Sequence, residues 1–409
     1  MTDEGRSISH EAQHIPRGAA YKENAKMIKI ALIGATGSIG TQTLSVIDKH
    51  PDEFELYSAA AGHGSEKFAE IIRRYRPKIA AVADKKSGET IRGALPQGTA
   101  FYCGEKEALE VFGGADVALV AASGFAGLSY SFAAARLGMP VALANKETLV
   151  CGGEYFMGEA QKHGAEIRPV DSEHSALWQA LNFRRDTPFR RLLITASGGP
   201  FYSKTAEELQ SVTAADALKH PTWNMGAKIT IDSATLLNKG FEVIEAHHLY
   251  NAPFSKIHAL VHPESVVHSM AEFDDGAVIA QLGVPSMELP IQLALTYPRR
   301  LSCCESLNFE KLAALHFLPL EREKFPCFSV ALAAGEAGDN YPCALNGAGE
   351  EAVYAFLRGE IGFLQIADCL KAVLGETKGQ KVDSFEALAE TDALSRSAAR
   401  AYISRFGCR

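Results

Sequence analysis

A glycine-rich turn between a hydrophobic run and a helical stretch constrains the fold of this chain most. Residues 28–33 are hydrophobic, residues 41–48 fit a helix, and between them lies Gly34-Ala35-Thr36-Gly37-Ser38-Ile39-Gly40. Glycines let the backbone turn tightly and approach a pyrophosphate, whose charge then lies on free N–H groups at a helix N-terminus. The G-x-x-G-x-x-G spacing is a variant of the dinucleotide-binding fingerprint. A tight turn without a ligand is the alternative.

Short hydrophobic runs alternate with helical stretches from Met27 to about Val170. This alternation is typical of βαβ units that build a parallel sheet. We therefore predict an α/β fold that begins with a Rossmann-like domain over residues 27–170. The predicted strands cover residues 28–33, 55–61, 79–83, 117–122 and 141–144.

The pattern changes after residue 170. Predicted strands at 191–195, 257–261 and 277–281 are separated by loops rich in Ser, Gly and His, which indicates an α+β catalytic and dimerisation domain over 171–298. A linker over 299–326 leads to a C-terminal helical bundle over 327–409. Its predicted helices cover residues 328–335, 350–358, 364–374 and 384–404. Residues 1–26 are predicted to be a flexible extension.

Composition excludes several classes of protein. A chain of 409 residues with 47% hydrophobic residues and a net charge of −8 predicts two or three folded domains and argues against nucleic acid as a partner. Its eight cysteines include no C-x-x-C pair, which indicates reduced thiols and a cytoplasmic protein. No hydrophobic run approaches the roughly 18 residues that a membrane span needs. We therefore expect no membrane partner.

The residues after the second predicted strand bear on the choice of nucleotide. In NAD enzymes this strand normally ends at an acidic residue that binds the ribose hydroxyls. Here it is followed by Ala61-Gly62-His63-Gly64-Ser65, and the first carboxylate is that of Glu66. Without that acid a 2′-phosphate meets no repulsion, so the sequence favours NADP over NAD. His63 and Lys67 are the nearby cations.

Two carboxylates, Asp171 and Glu173, follow the short hydrophobic stretch 167–170 at an expected strand end. In an extended chain, residues i and i+2 point the same way, so both carboxylates can face one point. Two such carboxylates without a nearby cysteine suit a hard cation such as Mg²⁺ or Mn²⁺. A solvated carboxylate pair at a strand end is the alternative.

A second polar cluster lies within residues 229–242. We expect a helix from Ser233 onward, which places Asn238 and Glu242 on one face. Ser233, Asn238 and Lys239 can then bind a phosphate while Glu242 reaches a metal. An amphipathic surface helix is the alternative.

Three loops add candidates. Residues 196–200 offer the Ser197 hydroxyl and unhindered backbone N–H groups, a possible phosphate nest or a plain loop. Residues 220–226 contain Trp223, which can cover a closed site or simply anchor the loop. Lys146 follows a predicted strand at the carboxyl end of the sheet, where it can polarise a substrate oxygen or lie on the surface.

Together these motifs resemble one enzyme family, the 1-deoxy-D-xylulose 5-phosphate reductoisomerases of the non-mevalonate isoprenoid pathway. The resemblance runs from about Met27 to the C-terminal helices, and its Asp-Ser-Glu, His-Pro-x-Trp-x-Met-Gly and Asp-Ser-Ala-Thr-x-x-Asn-Lys-Gly-x-Glu motifs are specific in combination. The matching stretches are residues 34–40, 143–150, 169–175, 197–201, 220–226, 231–242, 262–270 and 285–287.

The resemblance implies a role for each matching residue. The ligands of Mg²⁺ or Mn²⁺, with Co²⁺ a further option, are Asp171, Glu173 and Glu242. The phosphate ligands are Ser197, Ser233, Asn238 and Lys239. The contacts to the carbon chain of the substrate are Lys146, Ser172 and His220. The flap residues are Trp223 and Met225. The NADPH contacts are Thr36, Gly37, Ser38, Ile39, Gly62, His63, Gly64, Asn145, Glu147 and Gly226. The residues expected to act in catalysis are Lys146, Glu173, His220 and Glu242.

The implied reaction has two stages, a rearrangement of the sugar phosphate to an aldehyde, by retro-aldol cleavage and re-addition or by a shift, and a hydride transfer from NADPH. A homodimer is also implied. Two stretches depart from the family pattern. The departure at residues 61–64 puts the 2′-phosphate contacts in doubt. At residues 346–353, two added glycines are expected to weaken a helix start.

Two competing hypotheses remain. One is another NADP-linked dehydrogenase of a small phosphorylated or semialdehyde substrate, and the other is a non-catalytic sugar-phosphate sensor.

Overall fold

The computed structural model describes residues 26–407 except Pro221 and Asn224. The predicted extension over residues 1–26 lies outside this part except for Lys26. The helices are α1 Ser38–Lys49, α2 Glu66–Tyr75, α3 Lys85–Ile91, α4 Ala126–Arg136, α5 Glu147–His163, α6 Ser172–Ala180, α7 Ala214–Ala217, α8 Ala227–Ala234, α9 Leu237–Tyr250, α10 Glu288–Thr296, α11 Pro326–Ala337, α12 Tyr341–Leu357, α13 Gln365–Glu376 and α14 Phe385–Phe406.

The first sheet has seven strands, and every neighbouring pair is parallel. Its order is β4-β3-β2-β1-β5-β6-β7, so the strand order reverses beside β1, where open α/β sheets bind their ligands. The predicted Rossmann-like sheet is confirmed, although the short edge strand β4 was not predicted. The strands are β1 Ile28–Ile33, β2 Phe54–Ala61, β3 Ile79–Val82, β4 Ala100–Cys103, β5 Val117–Val120, β6 Val141–Leu143 and β7 Ile167–Pro169.

The turn after β1 needs glycine at two positions. Gly34 has a φ of +82°, and a Cβ there would lie 2.6 Å from the carbonyl carbon of Ala121. A Cβ on Gly40 would lie 2.3 Å from the Gly34 oxygen, because α1 packs closely against the turn. The glycine spacing is therefore a requirement of the strand–helix packing as well as of a ligand.

The second sheet is mixed and has five strands in the order β11-β10-β8-β9-β12. Strands β8 and β9 are parallel, and the other neighbours are antiparallel. The α+β prediction is confirmed, with β10 and β12 as the unpredicted strands. The strands are β8 Arg191–Ala196, β9 Ile257–Val261, β10 Val267–Glu272, β11 Val278–Leu282 and β12 Leu318–Pro319.

Helices α11 to α14 form the C-terminal part, as predicted. One buried hydrophobic cluster contains residues of both sheets and of these helices, for example Val120, Ile194 and Leu345. A second cluster covers the other face of the parallel sheet, where α10 packs through Ile291 and Leu295. The three parts of the chain therefore share a continuous core.

The expectation for residues 346–353 was wrong. These residues lie inside α12, which begins at Tyr341, so their glycines are not at a helix start. Gly347 faces α14, and a Cβ there would lie 2.2 Å from the Ser395 hydroxyl. The glycine lets the two helices approach closely.

None of the helices in the described residues combines the length and the hydrophobicity that crossing a lipid bilayer requires.

We predict opposite effects of alanine at two helical glycines. Gly347→Ala should destabilise the protein by about 1–3 kcal/mol, because the new methyl overlaps Ser395. A Cβ on Gly158 in α5 would have no atom within 4 Å. Gly158→Ala should therefore stabilise the protein by about 0.5–1 kcal/mol, because alanine lowers the conformational entropy of the unfolded chain. Thermal unfolding followed by circular dichroism measures both; an unchanged midpoint for Gly347→Ala would contradict the close packing.

Candidate active site

A cavity of about 640 Å³ opens between the carboxyl end of the parallel sheet and the second sheet. Its walls come from the turns after β1, β6 and β7, the end of β8, and the segment from the predicted flap to α9. Most of the predicted site residues lie here. Those that line it are Ser38, Ile39, Lys146, Asp171, Ser172, Glu173, Ser197, His220, Trp223, Met225, Gly226, Ser233, Asn238, Lys239 and Glu242.

Asp171 and Glu173 converge, but not through an extended chain as the sequence suggested. Asp171 is the N-cap of α6, and its Oδ1 accepts a hydrogen bond from the Glu173 backbone N–H at 3.2 Å. Glu173 lies in the first helical turn. One carboxylate oxygen from each of these residues and one from Glu242 all lie within 4.8 Å of one another. Helix capping, not strand periodicity, brings the pair together.

The helix predicted from Ser233 is broken into two. Helix α8 ends at Ala234, and Leu236 adopts a left-handed φ of +57° before α9 begins. The break turns the start of α9, which has no side-chain cap, toward the cavity. Asn238 and Glu242 do share a face of α9, since the Asn238 amide donates to Glu242 Oε1 at 2.5 Å.

Two buried lysines offset part of the charge of the three carboxylates. Lys146 Nζ lies 3.0 Å from Asp171 Oδ2 and 3.6 Å from Glu242 Oε1. Lys239 Nζ lies 2.8 Å from Glu173 Oε1 and also contacts Glu242. The acids therefore outnumber the two ammonium groups that pair with them.

The balance of burial and charge differs between the acids. Burial raises the pKa of Glu242 to about 7, and the carboxylates of Glu173 and Asp171 add to the rise. Burial also opposes ionisation of Asp171, but Lys146 and His174 outweigh it and hold its pKa well below the usual value. A divalent cation among these oxygens would relieve the repulsion that raises the pKa of Glu242.

A second acidic cluster shares Asp171 with the first and adds His174 and Glu245, neither of which lines the cavity. Both ring nitrogens of His174 are already engaged: Nε2 donates to the Glu242 carbonyl oxygen at 2.8 Å, and Nδ1 lies 3.0 Å from Asp171 Oδ1. Although burial opposes it, the negative charge of Glu245 and Asp171 raises the pKa of His174 to about 9. An imidazolium whose two nitrogens both carry a proton and make hydrogen bonds has no lone pair for a metal. The cluster of Asp171, Glu173 and Glu242 is therefore the candidate metal centre.

The predicted phosphate and flap residues meet at one wall of the cavity. His220 Nδ1 accepts N–H bonds from Thr222 at 3.2 Å and Trp223 at 2.9 Å, so its Nε2 carries a proton and donates to Ser197 Oγ at 3.0 Å. Burial lowers the pKa of His220. The imidazole thus connects the flap, of which Pro221 and Asn224 lie outside the described residues, to the loop after β8.

The predicted nucleotide residues other than Gly226 lie in three places. Ser38 and Ile39 begin α1, whose N-terminus has no side-chain cap, and Thr36 and Gly37 precede them in the turn. Gly62, His63 and Gly64 follow β2, and the His63 side chain is 82% exposed. Asn145 and Glu147 are buried, and the Asn145 amide donates to Ala122 O at 2.8 Å and to Glu147 at 2.7 Å. Asn145 and Glu147 therefore support the loop after β5.

Sequence reasoning gave no role to several residues that line the cavity. The signal was present, because residues 262–270 and 285–287 were recognised as matching stretches. His268 is buried, burial lowers its pKa, and its ring centroid lies 6.3 Å from that of Trp223. The unassigned lining residues are Thr41, Gln42, Ala144, Thr195, Ala196, Thr222, Ile229, Leu236, Ser265, Val267, His268, Pro285, Ser286 and Met287.

Models of a single enzyme family match most of the chain. The model described as 1-deoxy-D-xylulose 5-phosphate reductoisomerase matches residues 30–153. Two models of C-terminal domains of the same enzyme match residues 167–250 and 282–398.

Curated and solved relatives agree. The chain is 46% identical over 359 residues to the 1-deoxy-D-xylulose 5-phosphate reductoisomerase of Halalkalibacterium halodurans, covering 87% of this chain and 94% of that one. The same enzyme from Geobacillus is 44% identical, covering 91% and 99%. The NADPH complex from Zymomonas mobilis superimposes with a TM-score of 0.86 at 38% identity, covering 92% and 99%. A complex of DOX-P reductoisomerase with NADPH, fosmidomycin and magnesium also gives 0.86, at 35% identity, covering 92% and 98%. This chain belongs to the 1-deoxy-D-xylulose 5-phosphate reductoisomerase family.

Proposed function

We propose that this chain catalyses the metal-dependent rearrangement and NADPH-dependent reduction of 1-deoxy-D-xylulose 5-phosphate to 2-C-methyl-D-erythritol 4-phosphate, a step of isoprenoid biosynthesis. Membership of the family supports the reaction. The observation that carries the proposal is the convergence of three carboxylates in a cavity that also contains the start of α1. Another NADP-linked dehydrogenase would have no use for such a cluster.

We assign the metal site to Asp171, Glu173 and Glu242. Their oxygen atoms suit Mg²⁺ or Mn²⁺, and the solved relative named above holds magnesium. A bound divalent cation supplies a Lewis acid that stabilises negative charge on substrate oxygens. Lys146, which already bridges Asp171 and Asn238, is placed to donate to a substrate oxygen beside that site.

We assign the substrate phosphate to Ser197, Ser233, Asn238 and Lys239. All four line the same cavity, and the uncapped start of α9 adds backbone N–H groups with a positive helix-dipole end. Ser172 and His220 line the same cavity, and we assign them to the carbon chain of the substrate. Holding the phosphate fixes the carbon chain, so binding energy is used for orientation.

We place NADPH at the turn after β1, with its pyrophosphate at the start of α1 and Gly226 across the cavity. His63 has an exposed side chain at the end of β2, where it can meet a 2′-phosphate. Lys67 already donates to the Thr36 carbonyl oxygen, whereas the nearest carboxylate to His63, that of Asp84, lies 3.8 Å away, so His63 is the less engaged of the two nearby basic residues. We infer that His63 provides the cationic contact.

Trp223 and Met225 form a flap in this proposal. Their side chains line the cavity, and Trp223 lies over the wall that contains His268. Closure of two large apolar side chains over the substrate would exclude water during the reaction.

A homodimer is supported by the edge of the second sheet. Strand β11 is at this edge, and its Val278 and Ile279 are 51% and 48% exposed. Exposed hydrophobic edge strands are usually covered, because they otherwise promote aggregation. We propose that a second copy of the chain packs at this edge.

We also retain two finer proposals. One is the division into domains over 27–170, 171–298 and 327–409 with a linker over 299–326. The other is a cytoplasmic location, which the reduced cysteines in the described residues support.

We predict that Glu242→Gln lowers kcat by at least about a hundredfold, because it removes an anchor of the main electrostatic stabiliser. NADPH oxidation in the presence of 1-deoxy-D-xylulose 5-phosphate measures this. Activity should disappear with EDTA, return with Mn²⁺, and be weaker with NADH. Metal-independent turnover of the wild-type enzyme would contradict the proposed function.

Metal binding should distinguish the two acidic clusters. Glu242→Gln should weaken Mn²⁺ binding by more than about tenfold, since it removes one ligand oxygen. Glu245 contributes no oxygen to the set of Asp171, Glu173 and Glu242 and does not line the cavity, so Glu245→Gln should retain most of the affinity. Isothermal titration of Mn²⁺ measures both. A loss in Glu245→Gln as large as or larger than that in Glu242→Gln would contradict this assignment, and a larger one would place the ion at Asp171, His174 and Glu245.

The dimer proposal predicts that Ile279→Lys produces monomers, because a charge placed in a closed sheet edge loses its hydration. Light scattering coupled to gel filtration measures the mass. Leu137→Lys, at a hydrophobic residue 65% exposed at the end of α4, is the matched control and should leave the mass unchanged. A wild-type monomer would disprove the proposal directly.

A further inference from the structure

The stretch from His262 to Met270 matches the family but has no role in the reaction as described above. Its first residue is a completely buried histidine at the end of β9. The turn that follows contributes Ser265, Val267 and His268 to the wall of the cavity. A buried polar side chain next to the site, and not in it, can act by holding the residues that are in it.

Both ring nitrogens of His262 have partners that fix their roles. The backbone N–H groups of Val266 and Val267 donate to Nε2 at 3.2 and 3.1 Å. A nitrogen that accepts two N–H bonds carries no proton. Nδ1 lies 2.7 Å from the carbonyl oxygen of His316 and 3.0 Å from Glu264 Oε2; a carbonyl oxygen can only accept, so Nδ1 carries the proton. The contacts therefore define one neutral tautomer.

These bonds hold a turn that the backbone would not adopt easily. Ser265 has a φ of +51°, in the left-handed region that is unfavourable for a residue with a Cβ. Its N–H donates to the His262 carbonyl oxygen at 3.1 Å, and the imidazole Nε2 accepts from the N–H groups of the next two residues. The turn is thus closed around the His262 ring.

The same imidazole joins the turn to the linker over 299–326. The ring of Phe317 stacks on it, with centroids 4.8 Å apart and an interplanar angle of 13°. Strand β12 pairs with β9 directly after Phe317, and His316 Nδ1 lies 2.5 Å from Glu264 Oε1. Linker and cavity wall are therefore fixed to each other at the His262 ring, at Glu264 and through the pairing of β12 with β9.

We propose that His262 is a positioning residue for the reaction, which through Nε2 holds the turn that presents Ser265 and His268 to the sugar phosphate. The proposal rests on the proposed function. His262 makes no contact with substrate or nucleotide in this assignment. Its effect is on the placement of a wall of the cavity, where errors of about 1 Å can cost up to about a hundredfold in rate.

Two polar substitutions separate the two nitrogens. The amide of Gln reaches as far as Nε2 and can accept from the Val266 and Val267 N–H groups, whereas the shorter amide of Asn reaches only as far as Nδ1 and can bond only the His316 carbonyl oxygen and the Glu264 carboxylate. We expect His262→Asn to lower kcat/KM for 1-deoxy-D-xylulose 5-phosphate by about tenfold or more and His262→Gln to recover most of it. The Kd for NADPH should stay within about twofold in both, because the nucleotide turn lies on the other sheet.

His258→Asn is the matched control, since His258 is an exposed histidine on the same strand and should have no effect. In the wild-type protein, ¹⁵N spectra of the imidazoles should show His262 as the neutral Nδ1–H tautomer. Equal activity of the Asn and Gln variants, a parallel loss of NADPH affinity, or the Nε2–H tautomer would overturn the proposal. A wild-type enzyme that does not turn over the sugar phosphate would instead refute the proposed function, while the tautomer measurement would still test the turn.

Discussion

The mutual repulsion of three buried carboxylates, which water screens poorly, is the constraint on which this structure depends. Asp171, Glu173 and Glu242 are pressed together by the packing of α6 against α9, and burial makes their charge costly. Lys146 and Lys239 offset part of that cost. The two lysines leave a residual negative charge and a raised pKa of Glu242, and a divalent cation among the three carboxylates would offset both.

Two local backbone features, a helix cap and a left-handed residue, bring these carboxylates together. Asp171 is at the cavity because it caps α6, and α9 begins there because Leu236 adopts a left-handed conformation that stops α8 from continuing. Each device places a polar residue at a helix end, where orphan N–H groups also lie. One kind of local structure thus supplies both an acidic cluster and a set of anion-binding donors a few ångströms apart.

Sequence reasoning predicted the chemistry better than the geometry. The strand alternation predicted the parallel sheet because most of its strands are short, largely buried runs, whereas the edge strand β4, which was not predicted, has no buried residue. The family motifs identified the residues that meet in the cavity. It failed where a conformation depends on packing between distant elements. The break at Leu236 has no glycine or proline to announce it, and Gly347 was taken for a weak helix start because its partner, Ser395, is 48 residues away in the chain. His268 was missed because a matching motif says which residues recur, but not which way they face.

The linker shows why such a site cannot be understood one segment at a time. Residues 299–326 have few regular elements of their own, yet Phe317 and the His316 carbonyl oxygen contact an imidazole that closes the turn beside the cavity. On the opposite side of the turn, Gly283 donates to the Val266 carbonyl oxygen at 3.0 Å, which ties the turn to the end of β11, the edge at which we propose the dimer. The turn is thus held from the linker on one side and from the sheet edge on the other. Both supports reach the cavity wall through the same four residues, 264–267, so a change in the linker or at the sheet edge would act on Ser265. The metal centre shares the second support, because α6, which contributes Glu173, packs against β10 and β11 as well as against α9.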